Sequence, residues 1–213
     1  MVSILLIAEA EDSIQQSIIR ALMLARYLRA RLDILFCRME HGGRSHAHAH
    51  AYLDSLRNSV AAPDVEITTE ASFEGPLHEQ VADKARAAGS LIIVKSTERF
   101  GRTRETRIEW PLLQHAPVPV LFTQGRAWNP RPCFAAIEGM GASAPMLAWL
   151  SEACGAQLRR LPAHAELEQL DADQDIDLLA VLVSTDPNPP PILQRLIASR
   201  HFLTGCDLLF VRD

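Results

Sequence analysis

The 213-residue chain is 48% hydrophobic and 22% charged, the balance of a globular protein with a sizeable core, and could form one large domain or two small ones. Its 21 Lys and Arg against 26 Asp and Glu give a formal net charge of -5. That argues against nucleic acid or an anionic membrane as partner, since both need a basic footprint.

No apolar run approaches the ~20 residues of a membrane span. The apolar start Val2–Ala8 lacks a basic segment before it and a cleavage pattern after it, so it reads as a strand rather than a signal peptide. Cys37, Cys133, Cys154 and Cys206 lie far apart without C-x-x-C spacing. They read as buried free thiols of a cytoplasmic protein.

After the first strand, Ser13 with Gln16 forms a capping-box pattern that opens a helix. Ile14, Ile18, Leu22 and Ala25 repeat at helical spacing and give it one apolar face. Arg20, Arg26 and Arg29 fall mostly off that face. Leu32–Cys37 is a second buried strand, which completes a first βαβ unit. The tract HGGRSHAHAH (His41–His50) leads into a helix reaching about Ala61, ended by Pro63. Val65–Ala71 alternates apolar and polar residues, as an exposed edge strand does. Pro76 suits a first helical turn; Leu77, Val81 and Ala85 mark that helix's buried side, and Gly89 closes it.

The most informative stretch is Ser90–Thr123. Leu91–Val94 and Val118–Phe122 are short β-branched runs separated by helix signals, the pattern of a parallel βαβ unit. Pro111 favours a helix from Trp110 to His115 capped by Glu109, with Ser96–Ile108 left as a long loop. In open parallel sheets, ligands bind in loops beyond the carboxyl ends of the strands. The loop Lys95–Glu109 is therefore the place to look for function.

Gly125–Pro132 (GRAWNPRP) breaks the composition and reads as a linker. The pattern then restarts in shorter form: Cys133–Glu138 as a strand, Ser143–Gly155 as a helix, Leu178–Ser184 as a central strand, Ile192–Phe202 as a helix and Asp207–Val211 as a closing strand. Leu158–Ile176 holds at most one further strand and a short helix. The fold class is α/β: a doubly wound parallel five-stranded sheet over residues 1–124, a linker over 125–132, and a truncated second copy over 133–213.

These residues resemble the universal stress proteins, in particular their tandem two-domain branch. The likeness rests on SILLIAEAEDS near the start, LIIVKS, and EWPLLQHAPVPVLF (Glu109–Phe122), which is similar to the family's end signature. Trp110 before Pro-Leu-Leu and Trp128 ahead of Phe134 resemble the tandem branch, and CDLLFV is similar to the last strand of a second repeat. The resemblance implies a non-enzymatic stress-response or regulatory protein in the cytoplasm. It also implies a pseudo-dimer within one chain. Single-domain relatives pair their last strands across a two-fold axis, so Val118, Val120 and Phe122 would meet Leu208 and Phe210. A homodimer, or a protein or small-ligand partner, is also compatible with it.

Members that bind ATP carry G-x2-G-x9-G-(S/T) after the fourth strand, where glycines admit backbone N–H groups to the phosphates beside a helix N-terminus. Here that loop begins Ser96-Thr97-Glu98-Arg99-Phe100-Gly101-Arg102, with Gly101 alone and no later Gly-Ser/Thr pair. In the second repeat, Thr185-Asp186-Pro187-Asn188-Pro189-Pro190-Pro191 has four prolines that supply no N–H groups. Family-type ATP binding is expected in neither half, and no cofactor is expected. The acidic residue that members often place after strand one would be Glu9 or Glu138.

Arg99, Arg102, Arg104 and Arg107, with Lys95 before them, define the alternative, a nucleotide- or anion-responsive switch built on guanidiniums. Its ligand residues would be Glu9, Lys95, Arg99, Gly101, Arg102 and Arg104. Glu98, Glu105 and Glu109 are interleaved, so a solvated charged crossover is the preferred reading. His46, His48 and His50 would share a face on a strand, while on a helix His46 and His50 fall i,i+4. They read as a histidine-rich tract by composition rather than a specific metal site. No G-x-S-x-G is present and no cysteine has an evident histidine partner. Trp110, Trp128 and Trp149 read as packing residues.

Overall fold

The structure is a computed structural model. It describes residues 1–8, 15–37, 46–60, 62–73, 75–96, 106–123, 126–137, 144–162, 175–183 and 206–212, without the side chains of 46–48, 106–109 and 144. The elements run β1 (Ser3–Ala8), α1 (Gln15–Leu28), β2 (Arg31–Cys37), α2 (His46–Ser59), β3 (Ile67–Ser72), α3 (Leu77–Ala88), β4 (Ser90–Ser96), α4 (Thr106–His115) and β5 (Val120–Thr123). They continue with β6 (Cys133–Ile137), α5 (Ala144–Ala153), β7 (Gln157–Leu161), β8 (Leu178–Val183) and β9 (Asp207–Arg212).

All nine strands join one sheet in the order β3-β2-β1-β4-β5-β9-β8-β6-β7. Every pairing is parallel except β5 with β9. The first five strands therefore run one way and the last four the other. The carboxyl ends of β1, β4 and β5 share an end of the sheet with the amino ends of β6, β8 and β9.

Strands covered on both faces need apolar residues at every position rather than at alternate ones. All six residues of β1 are buried, as are five of the six in β8. On one face, α1, α2 and α5 cover Ile4, Leu6, Ile92, Val94, Leu121, Phe134, Leu178 and Leu209. On the other, α3 and α4 pack near Leu5, Ile7, Ile93, Val120, Phe122, Leu179, Leu208 and Phe210. Both apolar layers draw on strands before and after residues 126–132, so the core runs unbroken through β5 and β9.

Gly89 ends α3 at φ 62, a left-handed conformation that glycine adopts without a Cβ penalty, and its N–H caps the last turn. Several element bounds differ from the sequence expectation, β3 for instance starting at Ile67 rather than Val65 and α5 ending at Ala153 rather than Gly155, and two of the differences trace to prolines. First, α4 starts at Thr106, not Trp110, and carries Pro111 inside it. Proline removes only one backbone bond, and burial of Leu112 and Leu113 beside α3 anchors the helix beyond it. Residues 106–109 are thus helical rather than loop. Second, β5 begins at Val120 instead of Val118. Pro117 and Pro119 have no N–H to give the ladder, although the Pro119 carbonyl accepts from Ile93 N at 2.9 Å. The expected Ser13 cap and the helix at 192–202 lie outside the described residues.

Candidate functional site

In the first five strands the order reverses between β1 and β4, and this is where an open parallel sheet forms its ligand crevice. Ala8, Ser96 and Thr123 end the strands on that side. Ser17, in the first described turns of α1, lies 2.6 Å from Thr123 across a hydroxyl pair, and Thr123 donates to the Lys95 carbonyl at 3.4 Å. Ser17, Lys95, Ser96 and Thr123 are all buried. Strand alternation puts Lys95 on the face of Ile93, opposite Phe122 in the ladder. Among the described residues, Lys95 thus brings a buried basic side chain to within one residue of the end of β4. Glu9, Arg99, Gly101, Arg102 and Arg104 lie outside the described residues, as does Glu138, and Arg107 is described by its backbone alone.

Immediately beside this crevice, a polar seam ties α1 and residues 126–132 to the amino ends of β8 and β9. Arg20 is 5% exposed and donates through Nε to Asp207 Oδ2 at 2.6 Å, and through Nη2 to the Arg126 carbonyl at 2.8 Å. Trp128 Nε1 donates to the same Asp207 oxygen at 2.8 Å, and its ring lies 3.9 Å from the Arg20 guanidinium carbon. This corrects two expectations. Arg20 is buried in the α1 interface rather than off it, because Asp207 and Trp128 satisfy its charge there. Trp128 is a hydrogen-bonding partner as well as a packing residue, its ring edge-on to Phe134 at 4.9 Å.

Asp177 extends the seam. Its carboxylate accepts from Asn129 N, Asn129 Nδ2 and Cys133 N at about the same short range (2.9 to 3.1 Å), with Arg126 Nη2 at 3.4 Å. Asp207 N also donates to the Asp177 carbonyl at 2.9 Å. The two aspartates therefore fix the path of residues 126–132 against the starts of three strands. Sequence reading passed over both, although the repeated Asp-Leu-Leu (Asp177-Leu178-Leu179 and Asp207-Leu208-Leu209) marks them as equivalent strand starts.

Burial outweighs the attraction of Asp207 and lowers the Arg20 pKa, yet an arginine so shifted is still cationic at neutral pH. Its neighbour Cys154 is buried in the turn just past the end of α5, and desolvation pushes that thiol up to about 12 despite the Arg20 charge. A raised folded-state pKa means that the folded protein holds its proton longer than the unfolded chain. The resulting stability is present below an unfolded thiol pKa of about 8.5 and is lost as pH rises toward 12, with a limiting slope of about 1.4 kcal/mol per pH unit. Urea denaturation from pH 7 to 10.5 should show the wild type losing stability more steeply above pH 9 than Cys154→Ala. Parallel curves would contradict this placement of the thiol.

β5 and β9 meet at Val120–Phe210, Leu121–Leu209 and Phe122–Leu208. The Phe122 and Phe210 rings lie edge to face, 5.5 Å apart. Val118 sits just before the strand, half-buried against the same layer.

The described part of the histidine tract, His46–His50, falls at the start of α2, with His50 exposed, so the helical spacing is the one realised. Trp110 is half-buried, but Trp149 is 43% exposed and is not a packing residue. Cys37 and Cys154 are buried, Cys133 and Cys206 half-buried. An open groove of about 700 Å³ lies along the amino ends of β6 and β7, lined in part by Asn129, Arg131, Gln157 and Arg159. Among the described residues, no helix is long and apolar enough to cross a membrane.

No protein-family model matches the chain, and no curated protein matches its sequence. Solved structures do match its fold, and several of them are described as universal stress proteins. A protein assigned to that family from Pseudomonas aeruginosa UCBPP-PA14 superposes over 99% of this chain and 92% of its own, with TM-score 0.63 at 19% identity. A functionally unknown protein from Pseudomonas aeruginosa PAO1 gives the same coverage and TM-score at 18% identity. A universal stress protein from Archaeoglobus fulgidus DSM 4304 covers 98% of this chain and 96% of its own, with TM-score 0.63 at 8% identity. The chain thus has the α/β fold of the universal stress proteins, with a parallel-dominated sheet.

Proposed function

We propose that this protein is a non-enzymatic regulatory protein of universal stress protein type, a cytoplasmic adaptor whose second half is a shortened repeat of the first and serves as its built-in partner. One observation carries the reading: β5 and β9 pair antiparallel inside a single sheet. On either side of that pairing the strand order β2-β1-β4-β5 has its counterpart in β7-β6-β8-β9, a two-fold arrangement lacking only an equivalent of β3 among the described residues. Adaptor use is supported further by the crevice. Its strand ends are occupied by the Ser17–Thr123 hydroxyl pair and by Lys95, and the sequence that follows offers Gly101 alone where phosphate-binding relatives need several glycines.

A second reading, an anion- or nucleotide-responsive switch, is favoured by the cations that gather at this end of the sheet. Lys95 is the penultimate residue of β4, and Arg131 and Arg159, together with Asp175, line the groove beyond the seam. Thermal unfolding of the intact protein with ATP, ADP, AMP and a cyclic dinucleotide separates the two. A ligand that binds only the folded state adds about 2.7 kcal/mol at 100 times its dissociation constant. The adaptor reading expects no shift with any of the four. A reproducible shift with one of them would replace it by the switch.

A further inference from the structure

His78, in the first turn of α3, and His115, the last residue of α4, meet on the face of the sheet away from α2. Their ring centroids are 4.7 Å apart and their planes tilt by 44°. His115 Nδ1 lies 2.8 Å from the Pro111 carbonyl oxygen. A carbonyl can only accept, so Nδ1 carries the proton and the neutral ring keeps its lone pair on Nε2. Glu79 Oε1 stands 4.0 Å from His78 Nε2. Packing of α3 against α4 holds the pair in place, since Leu77 and Val81 on one helix and Leu112 and Leu113 on the other are buried in the same apolar layer.

We propose that His78 and His115 form an open site for a borderline transition-metal ion of the Zn²⁺ or Cu²⁺ class, with two imidazoles as protein ligands and water completing the coordination. Metal–nitrogen bonds of about 2.0–2.1 Å put each ring centroid roughly 3.2 Å from the ion; two rings subtending about 90–110° are then roughly 4.5–5.2 Å apart. The observed separation falls inside that window. The Pro111 carbonyl is the outer-sphere acceptor that metal-bound histidines commonly use to fix tautomer and ring orientation. Among the described residues no group of three or more His, Cys, Asp or Glu side chains is arranged to hold a metal; in the proposed site water takes the remaining positions. His115 is exposed and the His78 side chain is 22% exposed, which leaves the approach open.

The histidine tract would compete for metal, so the test starts from the full chain with His41, His46, His48 and His50 all changed to alanine. Titration with Zn²⁺, followed by calorimetry, should show one bound ion. His78→Gln and His115→Gln should each weaken it roughly tenfold or more, and the pair of changes should abolish it. Zinc binding absent from the tract-free protein, or unchanged by both substitutions, overturns the proposal. Cu²⁺ electron paramagnetic resonance on the tract-free protein needs no change at the site: coupling to imidazole nitrogens is expected, and its absence also overturns the proposal.

Discussion

Asp207→Ala is expected to destabilise the protein by about 3–5 kcal/mol in chemical denaturation, because it strands the Arg20 cation and the Trp128 N–H in a buried seam. Marginal stability makes that loss severe, since whole domains are worth only about 5–15 kcal/mol. The cost is one of leaving partners unpaired, not of losing a strong net attraction. Accordingly, the triple change Arg20→Met, Asp207→Leu and Trp128→Phe, which removes all three mutually bonded side chains together, should cost less than Asp207→Ala alone. A contrast lies on the same helix. The Arg26–Asp64 pair is 2.7 Å long but solvent-exposed on both sides, and Arg26→Ala should leave denaturation unchanged within error. Equal losses at Arg20 and Arg26 would contradict the view that burial, rather than charge pairing, gives the seam its leverage.

Phe210→Ala is expected to cost a further class of stability, about 3–5 kcal/mol, from the cavity it opens beneath β5. Three paired positions join β5 to β9, so side-chain packing across them carries much of the junction. Phe210 is 2% exposed and meets Phe122, itself fully buried, edge to face. The substitution should also loosen the junction selectively: amide exchange in β5 and β9 should accelerate more than in β1 or β2. Trp149→Ala removes an equally large aromatic at an exposed site and should change stability by no more than about 0.5 kcal/mol. A small effect at Phe210 would mean that the two halves are not joined through this pairing.

The strands that could be read from the sequence are those buried on both faces. β1, β4 and β8 carry apolar runs because both of their faces are buried, and no other element of their length needs that composition. β7 was legible only as room for one more strand. As the edge of the sheet, Gln157–Leu161 exposes four of its five residues, and Arg159 and Arg160 replace the apolar signal with charges that suit an unpaired edge. The start of α4 was obscured by Pro111, whose local cost is overridden by the tertiary burial of Leu112 and Leu113.

The seam was the least legible part, for a simple reason. Arg20 and Asp207 are 187 residues apart, and helical periodicity assigns an arginine to the surface unless its distant partner is known. Within the candidate crevice, Lys95 could be placed because it directly follows a readable strand. The loop from Arg99 to Arg104 carries no periodic signal that would position its side chains.

The most direct test of the built-in partner is the association state of residues 1–124 alone, compared with the intact chain by sedimentation velocity. The first segment ends β5 with its hydrogen-bonding edge and Phe122 uncovered. If β9 occupies a two-fold interface, the shortened protein should dimerise or aggregate as concentration rises, while Phe122→Arg in the same segment should suppress that association. A shortened protein that stays monomeric and as stable as the intact chain would contradict the account, because β9 would then be covering nothing that the first half needs covered.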